Sequence, residues 1–187
     1  MRRRSFILFM TLILGLPWMT MAQNRYSGNG TESDPYLIQS VSDWDSFADA
    51  VKNGTSYAGK YFKLMDDITV TKTVGGGDHS DQNDYYQGRI AFRGVFDGNN
   101  HTITMNNITV TKRWAGLFDI IYGSNVAIRN LKVTGSITST VSSGNASNLG
   151  GIVGAANQGI IENCWCDATI TAAGNCNSGI VADCNGS

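Results

Sequence analysis

The sequence predicts an all-β fold, a right-handed parallel β-helix with a short amino-terminal capping helix. The first observation behind this prediction is a repeat, in which a glycine followed by two apolar residues precedes a strand-like segment four times. The copies are Gly94-Val95-Phe96, Gly116-Leu117-Phe118, Gly151-Ile152-Val153 and Gly179-Ile180-Val181. Units of this kind stack on one another, because a single unit cannot bury its own apolar face.

The second observation is the character of the segments between the glycines. They are short, rich in Ile, Val and Thr, and alternate with period two, as in residues 137–140 and 168–171. Matching segments at 128–133 and 161–166 extend the repeat. The sequential, self-similar order favours parallel coils over hairpins, and the crossover sense of such coils is expected to be right-handed.

The third observation is a single amphipathic helix after the extended segment 36–38. Ser42 is the expected N-cap, with Asp45 at the third helical position, and Asn53-Gly54 ends the helix. Its apolar face carries Trp44, Phe47, Ala48 and Val51. We expect this helix to cover the first coil, since an uncovered coil exposes apolar core and unpaired backbone groups. Strands are expected next at 61–64 and 68–70.

The amino terminus has the features of a secretory signal peptide. Arg2, Arg3 and Arg4 precede an apolar run at 6–16 and a small-residue cleavage site at 20–22. The run is shorter than the roughly 20 residues of a transmembrane helix. We therefore expect residues 1–22 to be removed and the mature chain to be secreted, periplasmic or at the cell surface. Residues 23–187 are expected to form one β-helix domain, with the cap region and first strands in 23–91 and the repeats, incomplete at the carboxyl end, in 92–187.

The net charge and the spacing of the cysteines limit which partners and metal sites are expected. Removal of the three arginines leaves 11 basic and 15 acidic residues, a net charge of about −4 without a basic stripe, so nucleic acid is not expected as a partner. The cysteines Cys164, Cys166, Cys176 and Cys184 lack the paired spacing of a zinc site. Thiols stacked between coils, or a disulfide from Cys176, are the two interpretations that remain. Cys164 and Cys166 are expected on one strand face and Trp165 on the other.

Three segments resemble a known family. Residues 151–165 resemble the GLUG motif, residues 92–103 resemble the segment that often precedes such repeats, and residues 30–38 resemble the opening segment of the same proteins. The resemblance to the GLUG-motif family implies a secreted or surface-exposed bacterial protein, adhesin-like, with right-handed β-helical repeats. It implies no catalytic residue, since the His-Glu-x-x-His pattern of the related metalloproteases is absent.

Two sets of polar residues are candidate chemical sites. Asp78, Asp81 and Asp84 offer oxygen ligands of the kind that calcium binds, although the spacing matches no known calcium loop and a solvated loop is favoured. Calcium is the one cofactor that the sequence suggests. Adjacent Asp66 and Asp67 point to opposite strand faces, so they cannot act together in glycan cleavage.

Exposed aromatic residues are the candidate ligand contacts. Tyr85, Tyr86, Trp114, Tyr122 and Trp165 could stack on sugar rings or contact a protein, the competing interpretation being that each covers a loop. Trp165 is the strongest candidate if its flanking cysteines are buried.

The leading hypothesis is an exported, non-catalytic β-helical surface module that binds a surface glycan or a cell-surface protein. A glycan-active enzyme is the first alternative, but alignment of the repeats places Arg129 against Glu162 and shows no ladder of carboxylates. The second alternative is the amino-terminal stalk of a longer surface protein. Self-association through an open carboxyl-terminal edge is a further expected contact.

Overall fold

The computed structural model describes residues 25–76, 90–141, 148–173 and 176–184, which contain one helix and fifteen strands. In chain order these are β1 (Tyr36–Ile38), α1 (Val41–Lys52), β2 (Tyr61–Leu64), β3 (Ile68–Val70), β4 (Val95–Asp97), β5 (Thr102–Val110), β6 (Trp114–Ala115), β7 (Phe118–Tyr122), β8 (Ala127–Arg129), β9 (Lys132–Ser139), β10 (Asn148–Gly150), β11 (Val153–Asn157), β12 (Ile160–Glu162), β13 (Trp165–Thr171), β14 (Cys176–Ser178) and β15 (Val181–Cys184). The expected signal peptide, residues 1–22, lies outside the described residues.

The strands form four sheets whose members come from successive coils. Sheet A has the order β1-β2-β4-β8-β12, sheet B has β3-β5-β9-β13, sheet C has β7-β11-β15 and sheet D has β6-β10-β14. The pairs in each sheet are parallel and in register. Because one coil contributes a strand to sheets A, B, D and C in turn, the chain forms the parallel β-helix that the sequence predicts.

The core is a stack of apolar side chains along the coil axis. Phe62, Phe96 and Ile128 are consecutive partners on the inner side of sheet A, and each is at most 1% exposed. On the inner side of sheet B, Val133 and Ile137 are fully buried. This stacking accounts for the stability of a fold whose single coils have no core of their own.

Helix α1 packs its apolar face against the rings of the first coils, as expected. The ring centroid of Phe47 lies 4.5 Å from that of Phe62, and Trp44 lies 5.9 Å from both Phe96 and Phe118. The Trp44 indole N–H donates to the Lys72 carbonyl oxygen at 2.9 Å. The helix therefore supplies the apolar filling of the amino-terminal end.

The predicted helix start is wrong by two residues. Ser40, not Ser42, is the N-cap, and its Oγ accepts a hydrogen bond from the Asp43 backbone N–H at 3.2 Å. Asp43 in turn accepts from the Gln39 backbone N–H at 3.0 Å. Both Ser40 and Ser42 precede the apolar face of the helix, so the sequence pattern alone allows either as the N-cap. The hydrogen bonds with Asp43 fix the start of the helix at Ser40. The predicted end at Asn53 is confirmed.

The first glycine copy differs from the other three. Gly94 precedes β4 in sheet A, whereas Gly116, Gly151 and Gly179 precede strands of sheet C. A Cβ on Gly94 would lie 2.6 Å from the Lys60 carbonyl oxygen, and one on Gly116 would lie 2.7 Å from the Gly154 nitrogen. The same requirement for close backbone approach therefore produces similar sequence at two different corners of the coil.

Candidate binding surface

The outer side of sheet B carries a nearly continuous array of hydroxyl side chains. Two rows run across its strands, Thr69–Thr104–Thr134 and Thr109–Thr138–Thr171, and Ser136 pairs with Thr169 between them. We call these eight residues the hydroxyl face. They face outward because their neighbours along each strand point into the core. The sequence analysis recognised these strands but not the alignment of their threonines across coils.

Hydrogen bonds within the hydroxyl face hold some side chains in place. The Thr104 and Thr134 hydroxyl oxygens lie 2.9 Å apart, and the Ser136 hydroxyl donates to Asn107 Oδ1 at 2.8 Å. A register shift between Met105 and Ile108 places Asn107 beside this array. The surface is therefore a preorganised set of donors and acceptors, which the exposed Asp167 carboxylate extends beside Thr134.

Trp165 lies at the start of β13, at the edge of the hydroxyl face. Its side chain is 62% exposed, which confirms the predicted exposure. Trp165 pairs in register with Lys132, whose Nζ lies 4.9 Å from the centroid of the indole ring. Strand alternation turns the next residue, Cys166, toward the core. An exposed indole beside a cation and a hydroxyl array offers stacking and hydrogen bonding on one surface.

The cysteines behind Trp165 are free thiols. Cys164 and Cys166 are half-buried, and burial raises the pKa of both thiols. Cys176 and Cys184 are exposed. The structure shows no disulfide among these residues, so it favours stacked thiols for the first pair.

The expected exposure of Trp114 is wrong. Its side chain is 2% exposed, and its indole N–H donates to Asp183 Oδ2 at 3.1 Å. The Arg113 guanidinium lies 4.6 Å from the ring centroid. Trp114 is buried because the next coils continue sheets D and C beside it and supply Asn148 and Asp183. It is a packing residue in the described structure, and no sugar ring can stack on it without rearrangement.

The structure says less about the other aromatic and acidic residues that the sequence marks as candidate sites. Tyr122 is half-buried, with the Arg93 guanidinium 5.0 Å from its ring centroid. Tyr85, Tyr86, Asp78, Asp81 and Asp84 all lie outside the described residues, so the calcium hypothesis stays a prediction.

Val74 and Phe92, which lie on either side of that segment in the chain, both pair with β7. Val74 bridges to Phe118 and Phe92 bridges to Ile121, both on β7. Val74 and Phe92 are eighteen positions apart in the chain, whereas their partners Phe118 and Ile121 are only three positions apart.

The outer side of sheet A carries a row of alternating charges. Lys63, Asp97, Arg129 and Glu162 are successive partners across four strands. Arg129 Nε donates to Asp97 Oδ2 at 3.1 Å. Burial opposes ionisation of Asp97, but hydrogen bonds from Asn130, Asn99 and Arg129 outweigh it and lower the pKa of the carboxyl. The expected pairing of Arg129 with Glu162 is confirmed, and alternation leaves no two carboxylates adjacent in this row.

Sequence reasoning missed a groove beside this charged row. It has a volume of about 420 Å³, and its lining includes Glu32, Ser33, Leu37, Tyr61 and Val95 together with Lys63, Asp97 and Arg129 of the row. No motif marks it, because its residues come from strands far apart in sequence. Its size is within the range of small-ligand sites.

His101 has a structural partner. Its Nδ1 lies 3.1 Å from Asp67 Oδ1, which also accepts the Thr102 backbone N–H at 2.8 Å. These contacts, the backbone bond first, lower the pKa of the Asp67 carboxyl. The pair joins the start of β5 to the preceding coil.

Comparison with known proteins decides the family. Residues 38–158 match the family described as "Putative pectate lyase-like adhesive domain". The chain belongs to this adhesive-domain family. Both this family and the GLUG-motif proteins that the sequence resembles are adhesive in character. The presence of the GLUG motif itself stays a prediction. No solved structure matches the chain significantly.

Two curated relatives extend the comparison. Halomucin of Haloquadratum walsbyi is 29% identical over 118 residues, which is 59% of this chain and 1% of halomucin. A protein named "Putative Gly-rich membrane protein", from Evansella cellulosilytica, is 30% identical over 145 residues, 73% of this chain and 15% of the relative. The chain therefore spans only a small part of the relatives it matches. In the described residues, no helix has the length and apolar character needed to cross a bilayer.

Proposed function

We propose that this adhesive β-helix module binds glycans through Trp165 and the hydroxyl face. The observation that carries the proposal is the 62% exposure of an indole ring at the edge of a hydroxyl array on one sheet. The apolar C–H groups on the face of a sugar ring can stack on the indole ring, and the hydroxyl groups at the rim of the sugar can form hydrogen bonds with the threonines. Membership of an adhesive family and the similarity to halomucin support an extracellular or surface location, as the expected signal peptide also does.

The alternative of a glycan-active enzyme has less support. Paired carboxylates on one sheet would favour it, and the row Lys63–Asp97–Arg129–Glu162 alternates in sign instead. The alternative of a stalk in a longer protein is compatible with adhesion, since a stalk can itself carry a binding face. The proposal therefore assigns no reaction to the module.

The test is co-sedimentation of the chain with a panel of insoluble polysaccharides, both neutral and charged. We expect Trp165→Ala to weaken binding about tenfold or more, because stacking of an exposed aromatic is worth about 1–2 kcal/mol. Thr138→Val removes one hydroxyl at nearly constant shape and is expected to cost about 1 kcal/mol.

Ile160→Ala is the matched control, since Ile160 is 53% exposed on the outer side of sheet A in the same coil. Its binding should equal that of the unchanged chain. Equal binding by Trp165→Ala and the unchanged chain would refute the proposed surface.

A further inference from the structure

A buried lysine–aspartate pair joins the connection after β5 to β7, and neither residue belongs to the hydroxyl face. Asp119, in β7, is completely buried, and Lys112, in the connection between β5 and β6, keeps 18% of its side chain exposed. Thr73, from the preceding coil, is 8% exposed and completes the cluster. The proposed glycan binding does not use these residues, and the inference below is independent of it.

The three side chains contact one another directly. Lys112 Nζ contacts Asp119 Oδ2 and also donates to Thr73 Oγ1 at 2.9 Å. The Thr73 hydroxyl donates to the same Asp119 oxygen at 3.2 Å. The amine nitrogen, the carboxyl oxygen and a hydroxyl capable of passing a proton therefore form a closed triangle.

The surroundings of the carboxyl disfavour a stable ion pair. Among the described residues Asp119 Oδ1 has no hydrogen-bond partner, although the Gly116 backbone N–H lies near the group. Burial raises the pKa of Asp119 to about 6, against the opposing effect of Lys112. A buried carboxylate with an unpartnered oxygen is costly, and this cost favours transfer of a proton to the carboxyl.

Close packing keeps this geometry fixed. Gly75 lies against Asp119, and a Cβ at position 75 would lie 2.9 Å from the Asp119 Cβ. The Asp119 backbone N–H donates to the Val74 carbonyl oxygen at 2.8 Å. Groups held this closely react as if at a very high concentration, with effective molarities of about 10⁵ M or more in well-oriented cases.

We propose that Lys112 and Asp119 condense to an intramolecular amide. One proton first passes within the ion pair from the Lys112 ammonium to Asp119 Oδ2, which gives an amine and a carboxylic acid. The lone pair of the amine nitrogen then forms a bond to Asp119 Cγ, and the bond from Cγ to Oδ2 breaks. Thr73 relays one proton from the nitrogen to the departing Oδ2, which leaves as water, while Oδ1 becomes the amide carbonyl oxygen. One water is lost, no oxidant or co-reactant is needed, and two buried charges are replaced by a neutral group.

The consequence is a covalent tie at one corner of the coil. It joins the connection after β5 to β7, directly beneath Thr73 and Val74 of the preceding coil. Such a tie cannot be undone by reducing agents, unlike a disulfide.

The test is mass spectrometry of tryptic peptides from the full chain, purified under native conditions and then denatured. We expect residues 94–113 and 114–129 to appear as one branched species, lower than the sum of the two peptides by the mass of one water, with no cleavage after Lys112. This peptide measurement is independent of amino-terminal processing. Ordinary cleavage after Lys112 and unmodified peptides would overturn the proposal.

Substitutions in the cluster distinguish loss of amide formation from loss of folding. Lys112→Met and Asp119→Ala should each give only unlinked peptides. Thr73→Val should reduce the linked fraction at least severalfold, whereas Thr73→Ser, which keeps the hydroxyl, should restore it. Full linkage in Thr73→Val would overturn the relay assigned to Thr73. If a variant fails to fold, the unchanged chain still decides whether the amide forms.

Discussion

Asparagine residues set the corner between sheets A and B. Asn130 and Asn163 occupy equivalent positions after β8 and β12, with φ of 53° and 51°. Asn130 Nδ2 donates to Asp97 Oδ1 at 3.0 Å, and Asn163 Nδ2 donates to Asn130 Oδ1 at 3.3 Å. Asparagine tolerates the left-handed region and its amide links one coil to the next. The repeated Asn in the sequence is therefore a corner residue.

Gly135 provides a residue-scale prediction for sheet B. It has φ of 90°, and a Cβ at this position would lie 2.0 Å from the Met105 carbonyl oxygen. We expect Gly135→Ala to lower the free energy of unfolding by about 2–3 kcal/mol, measured by urea denaturation. Gly54→Ala, with φ of 94° and open space around it, is the control and should cost only about 1 kcal/mol. Equal losses would mean that the contact with Met105 is unimportant.

The buried Asp119 carboxyl gives a pH prediction in a variant that cannot form the amide. In Lys112→Met the pKa of Asp119 stays raised above its ordinary value of 3.8, because burial disfavours the carboxylate. The folded state then holds a proton that the unfolded state releases, so stability falls as pH rises from about 4 to above 6. The loss expected from the shift is about 3 kcal/mol.

The measurement compares Lys112→Met with Lys112→Met/Asp119→Asn by urea denaturation across this pH range. The double variant should lack the decline, and so should the unchanged chain if its amide has formed. A flat profile for Lys112→Met would contradict the raised pKa.

At the scale of elements, helix α1 depends on its amino-terminal cap. Ser40→Ala removes the hydrogen bond to the Asp43 N–H and should lower the free energy of unfolding by about 1 kcal/mol. Ser42→Ala is the matched control, since Ser42 is exposed inside the first turn and should change stability by a few tenths of a kcal/mol at most. Thermal or urea unfolding of the two variants measures the difference. A larger effect at Ser42 would favour the start predicted from sequence.

Elements with strong local patterns could be predicted from the sequence. The apolar face of α1, its end at Asn53 and the strands at 61–64 and 68–70 follow from periodicity and turn residues. The exposure of Trp165 followed from strand alternation alone. These features depend only on residues near one another in the chain.

Features that depend on the stacking of coils could not be predicted in this way. The burial of Trp114 requires Asp183 from a later coil, and the hydroxyl face appears only when β5, β9 and β13 are in register. The Lys112–Asp119–Thr73 cluster likewise joins separate coils. Coil-to-coil register depends on the lengths of the connections between strands, which no local signal gives.

At the scale of the molecule, the coils present different chemistry on different sheets. Sheet A carries the row of alternating charges and the groove, whereas sheet B carries hydroxyl groups and Trp165. Adhesion through one sheet leaves the others free for contacts with neighbouring parts of a larger assembly. The much greater length of the matched relatives is consistent with use of this module within larger proteins.

The most direct test of adhesion through sheet B is hydrogen–deuterium exchange of the chain with and without a polysaccharide that it binds. We predict that slower exchange on binding is concentrated in β9 and β13, around Lys132 and Trp165, with no change in β8 and β12 of sheet A. Protection confined to sheet A and its groove would contradict the account and move the adhesive surface there.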